Sequence, residues 1–215
     1  AGKKIILVNC SGSPIGLEPE TQKCEAILQA WYPGQQGGTA VAEVLFGDYN
    51  PAGRLPLTYY KSLDELPPFD DYNMTGRTYR YMQDVPLFPF GYGLSYTTFG
   101  YGKTVLDKNE LTAGQSLKLT VPVTNTGKRN GEEVVQVYLR KQGDAEGPIK
   151  TLRAFKRVSI PAGKTVNVEF DLKDKELEWW DDQSNTVRVC PGSYDIMVGG
   201  SSKEEGLQCT TVAIK

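Results

Sequence analysis

With 26 Asp and Glu residues and no histidine among 215 positions, this sequence leaves acid–base chemistry to carboxylates. The lack of histidine removes Ser-His-Asp and Cys-His nucleophile sites, and the commonest metal ligand with them. Adjacent carboxylates occur at Asp70-Asp71, Glu132-Glu133, Asp181-Asp182 and Glu204-Glu205. Neighbours on a strand or turn point apart, so adjacency alone does not aim two carboxylates at one bond. Glu132-Glu133 reads as a solvated strand start and Glu204-Glu205 as a turn. No catalytic residue is assigned. Cys10, Cys24, Cys190 and Cys209 lack CxxC spacing, which argues against a zinc or redox motif. Pairing as Cys10–Cys24 and Cys190–Cys209 stays open beside the favoured reading of four free thiols. The run from Gly91 to Tyr96 lacks the third glycine and the lysine of a phosphate loop. The residues call for no metal and no cofactor.

The block from Gly76 to Tyr81 is the more informative one. It sets Arg77 and Arg80 among Thr78, Tyr79 and Tyr81. Guanidinium forks and tyrosine rings suit sugar hydroxyls and the apolar faces of sugar rings. Arg77, Tyr79 and, before Pro33-Gly34, Trp31 are therefore candidate substrate-binding residues. The competing reading pins this segment by ion pairs from Arg77 and Arg80 to Asp70 or Asp71. A second function class, a carbohydrate-binding or scaffold module, would use Trp179, Trp180 and Tyr101 as an aromatic platform.

These residues must be positioned by a real core, which a 39% hydrophobic content allows. A net charge of −2 argues against a nucleic-acid partner. No apolar run reaches the roughly 18 residues of a membrane span. Residues 4–9 form a continuous apolar run, the pattern of a strand buried on both faces. Residues 26–32 repeat it. Residues 40–46 read as a helix with Thr39 as N-cap and Gly47 as its stop, and residues 54–60 as a short strand. That order is an α/β pattern over residues 1–60, and it predicts further strands and helices upstream. Residues 61–102, rich in Pro, Gly, Tyr and Phe, read as an ordered aromatic connector. From residue 103 the period changes to two. Leu117, Leu119, Val121 and Val123 alternate with polar residues, as do Val135, Val137 and Leu139. Asn130-Gly131 between them signals a hairpin. About seven short strands over roughly 110 residues predict an immunoglobulin- or fibronectin type III-like sandwich over 103–215. Trp179 and Trp180 should lie one in and one out.

Several blocks match a known family in its order. Trp31-Tyr32-Pro33-Gly34, Gly37-Gly38-Thr39-Ala40 and the run from Leu45 to Pro56 resemble the later half of the second domain of glycoside hydrolase family 3. The run from Phe88 to Phe99 resembles that family's connector. Val123 to Gly127 and Gly131 to Tyr138 resemble the start of its fibronectin type III-like third domain. The block Gly76 to Arg80 is closer to the β-xylosidase branch than to typical β-glucosidases. The resemblance implies a parent enzyme that removes a sugar from the non-reducing end of a β-linked oligosaccharide with retention. It implies that the Asp nucleophile lies on a barrel, and the acid/base Glu on a stretch, that precede this chain. The chain is then expected to be a C-terminal fragment, structural and inactive alone, self-associating or bound to its missing half. The parent is expected to be secreted or periplasmic.

Overall fold

A computed structural model describes residues 2–215. It opens with β1 (Ile6–Asn9), α1 (Glu18–Lys23) and β2 (Ala26–Gln29), and β1 and β2 pair in parallel. Parallel strands need a crossover, and α1 supplies it. That helix has an acidic first turn, Glu18 and Glu20, and Lys23 in its last, which complements the helix dipole. Then comes α2 (Gly37–Phe46), closed by Gly47 in the left-handed region at φ +83°. The helix starts two residues before the expected N-cap: Gln36 holds that position, and the Thr39 hydroxyl instead reaches the Gln36 side chain at 3.2 Å. The expected strand at 54–60 is absent. Its amides and carbonyls bond instead to residues 87–92, as in Leu55 N–H to Tyr92 O and Tyr59 N–H to Phe88 O. Pro56, Pro86 and Pro89 each lack an N–H, so no regular ladder forms. A short helix, α3 (Thr78–Tyr81), lies inside the connector.

The sandwich follows. Its strands are β3 (Phe99–Tyr101), β4 (Val105–Leu106), β5 (Glu110–Leu111), β6 (Leu117–Asn125), β7 (Gly131–Lys141), β8 (Thr151–Ile160) and β9 (Thr165–Leu172). After α4 (Asp174–Leu177) come β10 (Trp179–Asp181), β11 (Thr186–Arg188), β12 (Gly192–Gly199) and β13 (Gln208–Ile214). One sheet runs β5-β13-β12-β7-β8; the other joins β3, β6, β4 and β9. β10 and β11 form a small separate ribbon. The alternating residues face inward: Leu117, Leu119, Val121 and Val123 meet Val135, Val137 and Leu139 in one core. Burying each such side chain contributes about 1.5–3 kcal/mol. The fold is thus α/β followed by an all-β sandwich, as the periodicities indicate.

Asn130-Gly131 does not make a hairpin. β6 and β7 belong to different sheets, and the connection crosses between them. The crossing is built on buried Asn125, which donates to Arg129 O at 2.7 Å and Ile160 O at 2.9 Å. Its side-chain oxygen accepts from Thr97 Oγ1 at 2.5 Å and Gly127 N at 3.1 Å. Gly131 serves space rather than turn geometry, because a Cβ there would lie 2.6 Å from Thr97 Cγ2.

Candidate functional site

The segments that resemble known blocks converge on one joint between the α/β segment and the sandwich. Arg54 follows the Asn50-Pro51-Ala52-Gly53 turn and donates to Glu133 of β7 at 2.6 Å. The two side chains are 9% and 5% exposed, so this is a buried ion pair. Tyr101 of β3 donates to the other oxygen of Glu133 at 2.7 Å. Burial first, then the Glu133 charge, push the Tyr101 phenol far above its usual pKa. Asn50 stitches the same joint: it donates to Asn130 O at 2.9 Å and accepts from Ser95 Oγ at 2.9 Å and Tyr96 N at 2.7 Å. Arg129 donates to Gly47 O at 2.6 Å, and Arg157 to the Tyr49 hydroxyl at 2.9 Å. Glu133 is therefore a buried anchor and not a solvated strand start, whereas Glu132 pairs with Arg157 nearer the surface. Sequence reading missed this anchor because its partner lies 79 residues away.

A cleft of about 530 Å³ opens where the connector meets the sandwich, lined by Tyr79, Phe88, Pro89, Tyr92, Lys150 and Glu204 among others. Phe88 and Tyr92 stack with centroids 5.5 Å apart. Lys150, almost wholly buried, pairs with Glu204 at 2.5 Å, and Glu204 also accepts from Arg140 at 3.2 Å.

The three candidate substrate-binding residues do not meet in one place. Only Tyr79 lines the cleft. Its ring stacks on Phe90 at 4.4 Å and meets Tyr138 edge-on at 5.8 Å, while its hydroxyl accepts from Leu152 N at 3.0 Å. Arg77 makes no ion pair with Asp70 or Asp71. Its guanidinium instead gathers backbone carbonyls, Asn73 O at 2.8 Å and Asp71 O closer still. The fork finds these carbonyls because the loop folds back on itself, with Asp71 accepting from Asn73 N at 2.9 Å. Trp31 lies just past the carboxyl end of β2, half-buried, at φ +54°. A bulky residue there holds strain of order 1–3 kcal/mol, the kind found at ligand clamps. The crevice beyond the carboxyl ends of parallel strands is also where α/β sheets bind ligands.

The aromatic platform does not form. Trp179 is 2% exposed, packs edge-on against Tyr194 at 6.1 Å and donates to Asp144 at 2.6 Å. Tyr101 is committed to Glu133, and only Trp180, 48% exposed, faces solvent. All four cysteines are free thiols. No described helix is long and apolar enough to cross a membrane.

Comparison with known proteins agrees with this architecture. Residues 1–96 match the glycosyl hydrolase family 3 C-terminal domain, and residues 133–202 match a fibronectin type III-like domain. A xylan 1,4-beta-xylosidase of Xylanibacter ruminicola is 53% identical over all of this chain, which covers 24% of that protein. A periplasmic beta-glucosidase of Salmonella typhimurium is 36% identical over 94% of the chain, which covers 28% of it. Among solved structures, a β-glucosidase of Erythrobacter marinus superposes with a TM-score of 0.84 at 38% identity, over 98% of this chain and 28% of that one. The chain thus spans about a quarter of the length of the curated relatives it matches.

Proposed function

We propose, for a chain that belongs to glycosyl hydrolase family 3 through its C-terminal domain, that it supports and rims the active site of a retaining, exo-acting β-glycosidase. A β-xylosidase is the leading specificity, because the 53% identical relative carries that name; a β-glucosidase is the alternative. One observation carries the reading. The family-like blocks around Asn50, Arg54, Ser95 and Glu133 are the residues that lock the α/β segment to the connector and the sandwich, while Asn125 ties Thr97 of the connector into the sandwich. They form a joint and leave the catalytic carboxylates to a part of the enzyme outside these residues. Retaining hydrolysis needs two carboxyl groups about 5–5.5 Å apart across the scissile bond. Trp31 is assigned to the substrate side, Tyr79 to the cleft, and Arg77 to holding the loop that presents Phe69 and Tyr72.

The division into residues 1–60, 61–102 and 103–215 is kept as part of this reading. Exposed Ile5, Ile6, Tyr32 and Phe46 favour association of the α/β segment with the rest of the enzyme or with a second copy. The periplasmic relative favours a secreted or periplasmic setting. The test is complementation. The isolated chain should not turn over nitrophenyl β-xyloside, and joining it to the N-terminal portion of the xylosidase relative should restore turnover. A folded but inactive chimaera would count against the proposal.

A further inference from the structure

The cleft of about 530 Å³ between the connector and the sandwich is lined by two kinds of residue. Phe88 and Tyr92 give it a pair of stacked rings, with Tyr79 as a third aromatic. With them come three buried polar residues, Thr58, Lys150 and Ser202, each at most 6% exposed. Backbone bonds fix the lining segments in place. Tyr59 N–H donates to Phe88 O at 2.9 Å, Ser202 N–H to Phe90 O at 2.9 Å and Ile149 N–H to Arg80 O at 2.6 Å. A ligand entering a cleft so held would have little of the chain to order.

The buried polar residues keep hydrogen-bonding capacity to spare. The Lys150 ammonium is a triple donor, and the partner it has among the described residues is Glu204, at 2.5 Å. Thr58 Oγ1 accepts from Tyr79 N at 3.0 Å, and its own proton has no acceptor among the described residues. The Ser202 hydroxyl makes no hydrogen bond among the described residues, yet it is not one of the sealed, unpartnered atoms, so it opens onto solvent. Polar groups on buried residues are normally matched by water or a ligand. The charges, by contrast, are spent. Lys150 pairs with Glu204 and Lys203 with Glu205 at 3.6 Å, which leaves Asp84 as the one charged lining residue outside an ion pair among the described residues. A cleft balanced in this way offers an ion little. Spare donors beside aromatic rings fit a neutral, hydroxyl-rich molecule with an apolar face. The volume lies within the roughly 300–1,000 Å³ of small-molecule sites.

We propose that this cleft binds a neutral β-linked oligosaccharide, its hydroxyls accepting from Thr58, Lys150 and Ser202 and its rings resting against the Phe88–Tyr92 stack. The sugar rests on the glycosidase reading; a neutral, hydroxyl-rich ligand does not. The test is amide NMR titration of the whole chain with xylotetraose and cellotetraose, and with sodium sulfate as the charged control. At least one of the sugars should saturably shift amides of the lining segments 82–92 and 202–205. About 0.5 M NaCl should not weaken it, since a neutral ligand brings no charge to screen. Lys150→Met should weaken binding about tenfold and Ser202→Ala about threefold, the worth of a charged and a neutral hydrogen bond. Ser202→Ala removes a single oxygen, so it serves if Lys150→Met disturbs folding. Trp180→Ala, outside the cleft, should change nothing. Saturable sulfate binding at these amides without sugar binding would overturn the neutral ligand. Sugar binding that Trp180→Ala abolishes and both cleft variants keep would overturn the cleft as its place. No saturable shift with either sugar would overturn the proposal outright. The readout needs no catalysis, so its failure is separate from failure of the complementation test.

Discussion

Glu133→Gln should be among the most damaging isosteric substitutions in this chain. Glu133 holds Arg54 at 2.6 Å and Tyr101 at 2.7 Å with two different oxygens. A glutamine has one acceptor oxygen, so one of the two donors must face an NH2 group. The change also leaves Arg54, 9% exposed, as a buried cation without its counter-charge. Breaking a buried pair from one side costs about 3–5 kcal/mol. For a chain of this size that corresponds to a fall in Tm of roughly 6–20 °C. Removing both charges is different. Arg54→Met combined with Glu133→Leu should cost less than Glu133→Gln, about the 1–3 kcal/mol of the Tyr101 hydroxyl left without its acceptor, since apolar replacement of the buried pair itself is often neutral. The assay is urea unfolding followed by circular dichroism on both single variants and the double variant. A Glu133→Gln cost under about 1 kcal/mol, or additive single and double effects, would refute the claim that this pair is a buried, mutually dependent anchor.

Other expectations follow from the same geometry. Trp179→Ala should cost about 3–5 kcal/mol by emptying core volume, while Trp180→Ala should stay within about 0.5 kcal/mol; both are read by chemical denaturation. Tyr101, Tyr138 and Tyr194 are all held well above the ordinary phenol pKa, chiefly by burial. A group raised in the folded state stabilises fully below its unfolded pKa, so this stability is lost as pH rises past about 10. Ultraviolet titration should therefore show these phenols ionising only with alkaline unfolding; reversible ionisation of every tyrosine in the folded chain near pH 10 would contradict it. Hydrogen bonds from Ser184 and Arg188 bring Asp181 down to about 2, which NMR titration of its carboxyl carbon can check.

Much of this fold was legible because burial imposes period. The alternation along Leu117–Val123 follows from a strand with one face in a core; the run at 4–9 does supply a strand of a parallel pair, but that strand is not buried on both faces, with Ile5 and Ile6 each 51% exposed. Asn130-Gly131 misled because glycine has two uses. Sequence shows the residue, whereas the close approach of Thr97 that requires it comes from a segment more than thirty residues earlier in the chain. Residues 54–60 carry strand-like composition, yet the proline-broken partner at 87–92 cannot offer a regular ladder. Glu133 looked solvated beside Glu132 because nothing local reveals that Arg54 turns inward to meet it. The site candidates fared similarly. Composition picked out Tyr79 and Arg77 as polar groups able to meet a sugar, but which of them faces a cleft depends on how α3 lies across β8.

The most direct test of the account is a hydrolysis assay on the purified, folded 215-residue chain with nitrophenyl β-xyloside and nitrophenyl β-glucoside. The account predicts no enzyme-dependent release of nitrophenol from either substrate. Steady release proportional to chain concentration would contradict it, because the catalytic carboxylates would then have to lie within these residues.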